Sequence, residues 1–167
     1  MAYRILFICT GNICRSPTAE VIMRHLIKEE GREKDFYVDS AGLSDFHQGA
    51  PMDTRSASVA EKYGYDTRHR ARAVTPQDFF THHVMFAMTQ EQLTILHATR
   101  DAIGTTATPP KGAAPCAPIR LFLEALSPDK RPQDVPDPYN GGMDGFERVF
   151  SLIHACCLCH WEALKQR

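Results

Sequence analysis

Five residues separate Cys9 from Arg15, and Gly11, Asn12, Cys14, Ser16 and Pro17 lie between or just beyond them. A thiol can attack phosphorus, and a guanidinium can grip two phosphate oxygens at once, which a lysine cannot do with the same geometry. The apolar run Ile5-Leu6-Phe7-Ile8 before them reads as a short buried strand over 5–9. Ser16-Pro17 then opens a helix, with Ser as N-cap and Pro at the first helical position. A strand that turns abruptly into a helix aims several N–H groups at one spot, and the helix dipole adds positive potential there. That field favours a thiolate. Gly11 is expected to permit the tight path through backbone angles closed to other residues. The segment therefore reads as a cradle for a tetrahedral anion with a nucleophile beside it, and Ser16 can donate a hydrogen bond to the thiolate. It is not a nucleotide-binding loop, because no G-x-x-x-x-G-K-[ST] is present.

The elements that must position this segment alternate. A helix follows Ser16 with Val21, Ile22 and Leu26 as its apolar stripe and Gly31 at its end. Phe36-Tyr37-Val38 is a second strand, followed by a loop over 39–51 and a helix over 52–63. Thr75-Pro76-Gln77-Asp78 resembles a capping box opening a short helix. A third strand over 83–88 precedes a helix over 90–100, a fourth strand is expected over 119–123, and a long amphipathic helix covers 145–165. Residues 104–118 are small, Pro-rich and aperiodic, and read as an exposed inserted loop. This order predicts a single α/β domain over 1–167: a three-layer sandwich with a four-stranded parallel sheet and helices on both faces. Ligands in such sheets bind beyond the carboxyl ends of the strands, where Cys9 falls.

The bulk numbers exclude other classes. The 167 residues are 43% hydrophobic and 23% charged, with a formal net charge of −1. That balance gives no excess of positive charge for nucleic acid or an anionic membrane. The N-terminal apolar run stops at Cys9, far short of a signal or membrane-spanning segment, so a cytoplasmic setting is expected. Of the six cysteines, all but Cys9 and Cys14 read simply as reduced thiols. No cofactor and no metal is expected, and a monomer is.

The segment Cys9-Thr10-Gly11-Asn12-Ile13-Cys14-Arg15-Ser16-Pro17 resembles the signature of the low-molecular-weight protein tyrosine phosphatases. The resemblance extends to Asp39-Ser40-Ala41-Gly42, His69-Arg70-Ala71-Arg72 and Asp137-Pro138-Tyr139, in the right order over most of the chain. It implies a cysteine-dependent hydrolase that removes phosphate from phosphotyrosine, in a protein or a small aryl phosphate, and releases inorganic phosphate. Cys9 would attack phosphorus to give a phosphocysteine, Asp137 would protonate the leaving oxygen and then activate water, and Arg15 would bind the phosphoryl group. Thr10, Gly11, Asn12, Ile13, Cys14 and Ser16 would line the phosphate site. By the same resemblance, Asn12 is strained and held by Ser16, Ser40 and His69. Phe46 and Tyr139 are aromatic walls for a substrate ring, His47 tunes substrate choice, and Cys14 is the partner in a protective disulfide with Cys9.

The chain departs from the family pattern at Thr89, where Asp is usual, and at Asn140, where animal relatives carry a second Tyr. Cys156, Cys159 and His160 share a helix face and invite a metal reading, but no second ligand pair with zinc spacing accompanies them, and packing is preferred. Arsenate reductases of this fold relay oxidation through two further cysteines in mid-chain, and none lies between Cys14 and Cys116. Arginine phosphatases carry Thr where this chain has Ile13, and a bulky apolar residue there favours an aryl phosphate. A non-enzymatic phosphate-binding module would lack the nucleophile or the acid.

Overall fold

The computed structural model describes residues 1–104, 108–111, 117–126 and 134–167. The elements run β1 (Tyr3–Cys9), α1 (Arg15–Glu29), β2 (Phe36–Gly42), α2 (Thr54–Lys62), α3 (Asp78–Thr81), β3 (Val84–Ala87), α4 (Gln90–Gly104), β4 (Ile119–Leu121) and α5 (Met143–Leu164). From Ile5 onward β1 is buried on both faces, and the period-2 alternation of a strand sorts its side chains into two cores. Ile5, Phe7 and Cys9 pack with Val21 and Ile22 of α1, Val59 of α2, and Phe150, Ile153 and Trp161 of α5. Leu6 and Ile8 pack on the other face with Phe79 of α3 and Leu96 and Ile103 of α4. Helices thus cover both faces of a four-stranded parallel sheet ordered β2-β1-β3-β4.

The register matters for the site. Cys9 pairs with Gly42 across β1 and β2, and Ile8 pairs with Ala87 across β1 and β3. The sheet order reverses at β1, so its carboxyl end opens into the crevice where such sheets bind ligands. Gly42 permits a close approach there: a Cβ would lie 2.7 Å from the Thr10 carbonyl oxygen and 3.1 Å from that of Ser44. Any side chain at position 42 would push the loop after Cys9 out of place.

Several boundaries differ from expectation. β2 runs on through Asp39–Gly42 because those residues still pair with β1, so the loop toward α2 starts later. The fourth strand stops at Leu121, where the chain tightens into a 3-10 turn at Phe122–Ala125. α4 extends to Gly104, and Ala117 and Pro118 belong to the sheet edge, where Ala117 donates to the Phe79 carbonyl at 3.0 Å and Pro118 accepts from Met85 N–H at 3.0 Å. The ends of the expected 104–118 loop are therefore anchored, while residues 105–107 and 112–116 lie outside the described residues. At Thr75 one arm of the expected capping box is formed: the Asp78 carboxylate reaches back to accept from the Thr75 N–H at 2.7 Å, and it also accepts from the Thr75 hydroxyl at 3.2 Å.

The cysteine-rich turn of α5 packs against the 3-10 turn after β4. Cys156 Sγ and His160 Nε2 both donate to the Phe122 carbonyl, at 2.9 and 2.6 Å, while Cys159 is exposed. Among the described residues no cluster of His, Cys, Asp and Glu is arranged to hold a metal. Among them too, no helix is long and apolar enough to cross a membrane. Burial lowers His160 to about 4, against a hydrogen bond to Phe122 that opposes the shift. Between about 4 and the ordinary value of 6.5, the unfolded chain binds a proton that the folded chain refuses. Stability is accordingly expected to fall as pH drops through that window, by up to about 3 kcal/mol from this residue. Urea unfolding of wild type and His160→Gln from neutral pH to pH 4 checks it: the variant should lose less stability on acidification. Parallel losses in the two proteins would contradict the assignment.

Candidate active site

The loop after β1 wraps a cavity of about 160 Å³ lined by Cys9, Thr10, Gly11, Asn12, Ile13, Cys14 and Arg15, with His47, Asp137 and Tyr139 closing its far side. Three separate stretches of chain thus meet at the carboxyl end of β1. α1 begins two residues earlier than expected: Cys14 occupies the N-cap position, no side chain caps the turn, and Arg15 is its first residue. Ser16 is therefore not the cap, and the uncapped N–H groups of the first turn are left for a ligand. Pro17 still fits, because amides in the first turn lack helical partners in any case.

The residue that turns the loop is Asn12, at φ 58°, the only described non-glycine with positive φ. Gly11, expected to take that role, keeps an ordinary φ and serves instead by its lack of a side chain, since a Cβ there would come within 3.2 Å of His47. A left-handed Asn costs of order 1 kcal/mol and persists only where its surroundings over-determine it. Here they do. The Arg72 N–H donates to Asn12 Oδ1 at 3.0 Å, and Asn12 Nδ2 donates to Ser16 Oγ and Ser40 Oγ, both at 2.9 Å. Its carbonyl contacts His69 Nε2 at 2.8 Å.

The proton bookkeeping then reaches the sulfur. Ser16 Oγ accepts from Asn12, so its own proton is free for Cys9 Sγ at 2.9 Å. A thiolate is the natural acceptor of that bond. Behind this row sits Glu20, a buried carboxylate not foreseen from the sequence. It accepts from Ser40 Oγ at 2.7 Å, lies 3.3 Å from His69 Nδ1 and pairs with Arg24 at 2.9 Å. Burial alone would raise the Glu20 carboxyl, but His69, Ser40 and Arg24 outweigh it and hold the group below its usual value. The legible signal was its position, one helical turn after Ser16 on the face that must be buried. Arg72 was also missed. Its guanidinium is gripped by Asp39 at 2.9 Å and by Asp78 at 2.9 Å, which fixes the amide that orients Asn12.

The opposite wall is built from the chain before α5. Arg15, 6% exposed, donates to the Val135 carbonyl at 3.2 Å and approaches Asp137 Oδ2 at 3.6 Å. The Asp137 side chain is 56% exposed, and its other oxygen accepts from the Tyr139 N–H at 3.1 Å. A turn of this kind fixes carboxylate and ring relative to each other. Arg55 sits 5.4 Å from the Tyr139 ring and 4.3 Å from the Phe146 ring while paired with Asp53, so α2 supports the Tyr139 side of the cavity. Cys14 is buried, and burial pushes its thiol up to about 12 against a hydrogen bond with Ser56. Phe46 lies outside the lining: it is 83% exposed and meets His47 edge to face at 4.8 Å.

A thiol accepting from Ser16, a buried guanidinium, an uncapped helix start and a carboxylate at the mouth form a site for attack on a bound tetrahedral anion. Comparison with known proteins agrees with that chemistry. The family model for low molecular weight phosphotyrosine protein phosphatases matches residues 4–167. The low molecular weight phosphotyrosine protein phosphatase of Sus scrofa is 31% identical over 161 residues, covering 96% of this chain and 95% of that protein. The structure of a protein tyrosine phosphatase from Entamoeba histolytica superposes with a TM-score of 0.83 at 28% identity, covering 99% of this chain and 98% of its own. A Drosophila arginine phosphatase superposes with a TM-score of 0.85 at 30% identity, covering 96% and 97%. With its family match spanning the loop at Cys9, the sheet that carries it and the segment of Asp137, the chain belongs to the low molecular weight phosphotyrosine protein phosphatase family.

Proposed function

We propose that the protein hydrolyses phosphotyrosine, in a protein or a small aryl phosphate, through a phosphocysteine on Cys9. The observation that carries this reading is the convergence of Cys9, Arg15 and Asp137 on one small cavity, with Ser16 bonded to the sulfur. In the first step Cys9 attacks phosphorus while Arg15 and the loop amides hold the equatorial oxygens, and Asp137 protonates the departing phenolic oxygen. In the second, Asp137 takes a proton from water as it attacks the phosphocysteine, and inorganic phosphate leaves. Ser16 donates to the sulfur as it departs.

Substrate choice follows from the walls. Ile13 and Tyr139 present apolar surface at the mouth, suited to the flat ring of a phenol, with His47 beside them. Since a similar structure is that of an arginine phosphatase, the test includes phosphoarginine. Matched phosphotyrosine, phosphoserine and phosphoarginine peptides are incubated without added metal. Phosphate release from phosphotyrosine, and at least tenfold less from the others, is expected. Preference for phosphoarginine, or release only on adding a divalent metal, would contradict the reading. We propose further that a hydroperoxide oxidises Cys9 to a sulfenic acid, being itself reduced to water or an alcohol, and that the Cys14 thiol then condenses with that sulfenic acid to a disulfide, releasing water.

A further inference from the structure

Thr89 stands where the family usually has Asp, and the structure gives that difference a use. Thr89 Oγ1 accepts from the Gln92 N–H at 3.1 Å, and Gln92 Oε1 accepts in return from the N–H groups of Met88 and Thr89, both at 3.1 Å. This is a reciprocal cap on α4. It also fixes which way the Gln92 amide points, because only the oxygen can accept from two N–H donors. Gln92 Nε2 must then face the other way, and it lies 3.1 Å from Thr10 Oγ1. An amide NH₂ can only donate, so the Thr10 oxygen is the acceptor in that bond.

The Thr10 proton is thereby directed away from Gln92. Thr10 lines the cavity beside Cys9, and among the described residues no protein acceptor takes its proton. Gln92 is itself 3% exposed, so the polar amide is held in the interior by these bonds. The same cap touches the opposite wall, since the Val135 N–H donates to the Met88 carbonyl at 2.9 Å and the Gln90 N–H to Asp134 at 2.8 Å.

We infer that Gln92 is a positioning residue: it turns the Thr10 hydroxyl so that its proton is presented to an oxygen of the phosphoryl group bound at Cys9. The inference rests on the phosphatase reading above. A donor held in place before the ligand arrives serves ground state and transition state alike, so its loss shows mainly in KM and in phosphate affinity, and less in kcat.

The test compares Gln92→Glu, Thr10→Val, Thr10→Ser and the double variant Thr10→Val/Gln92→Glu. Each is assayed at neutral pH for turnover of 4-nitrophenyl phosphate and for competitive inhibition by inorganic phosphate. A glutamate keeps both bonds to the Met88 and Thr89 amides but forces Thr10 to donate to it. Gln92→Glu and Thr10→Val are each expected to weaken phosphate inhibition roughly tenfold, as for a lost hydrogen bond to a charged group. Thr10→Ser, which keeps the hydroxyl, should recover most of the phosphate inhibition that Thr10→Val loses, and adding Gln92→Glu to Thr10→Val should cost no more than about twofold further. An equal loss from Gln92→Glu in both backgrounds would show that its charge or its folding acts, not the hydroxyl, and would overturn the inference. Should Gln92→Glu fail to fold, Thr10→Val decides alone: phosphate binding as in wild type overturns the inference, and a loss restored by Thr10→Ser supports it. A wild type that neither turns over the ester nor binds phosphate would remove the phosphatase reading itself.

Discussion

Replacing Cys9 by Ser is expected to abolish turnover, by on the order of 10⁴-fold or more, while phosphate still binds. The hydroxyl is a far weaker nucleophile at neutral pH than a thiolate, and Ser16, already accepting from Asn12, has only a donor to offer it. The cradle itself is not made by the sulfur. Asn12 is fixed by Arg72, Ser40 and His69, and Arg15 by the Val135 carbonyl, and none of these contacts involves Cys9. Phosphate affinity should therefore be kept. Calorimetric titration with inorganic phosphate alongside a turnover assay separates the two effects. Turnover surviving in Cys9→Ser would rule out the covalent route; loss of both turnover and phosphate binding would show that the substitution had disturbed the loop.

The second large effect belongs to Asp137. Removing a general acid costs typically 10²- to 10⁴-fold, and the cost depends on how much help the leaving group needs. Asp137→Asn is the sharper variant than Asp137→Ala, because an amide oxygen can still accept from the Tyr139 N–H and keep the turn. The variant is expected to lose roughly 10²-fold or more on phosphotyrosine and on phenyl phosphates with basic leaving groups. With nitrophenolate as leaving group the first step should be nearly spared. A plot of rate against leaving-group pKa, flat in wild type, should become steep. Equal losses across the series would mean that Asp137 acts through its 3.6 Å contact with Arg15 rather than as an acid.

What the sequence made legible divides along physical lines. Strands and helices were readable because burial imposes periods of 2 and 3.6 on the apolar residues, and Ile5, Phe7, Val21, Ile22, Phe150 and Trp161 all fall in one core as those periods require. The loop at Cys9 was readable because few residue types can form an anion cradle. Ends of elements were less so: β2 runs into Asp39–Gly42 only because its partner strand continues, which is a tertiary fact. The glycine rule pointed to Gly11 for the unusual backbone angles, whereas the left-handed residue is Asn12, as the family resemblance implied. Asn12 carries the left-handed turn because partners from β2, from His69 and from Arg72 hold it there, and no local rule reports such distant partners. Glu20 and Gln92 escaped because a buried polar residue is recognisable only once its hydrogen bonds are seen.

The most direct test of a phosphocysteine on Cys9 is to quench the enzyme in acid during turnover of an aryl phosphate and map phosphate by mass spectrometry of its peptides. Phosphate is expected on the peptide bearing Cys9 and on no other, and it should accumulate further in Asp137→Asn, where the water that clears it is no longer activated. Product formation with no phosphate on Cys9, in wild type and in that variant alike, would contradict the mechanism.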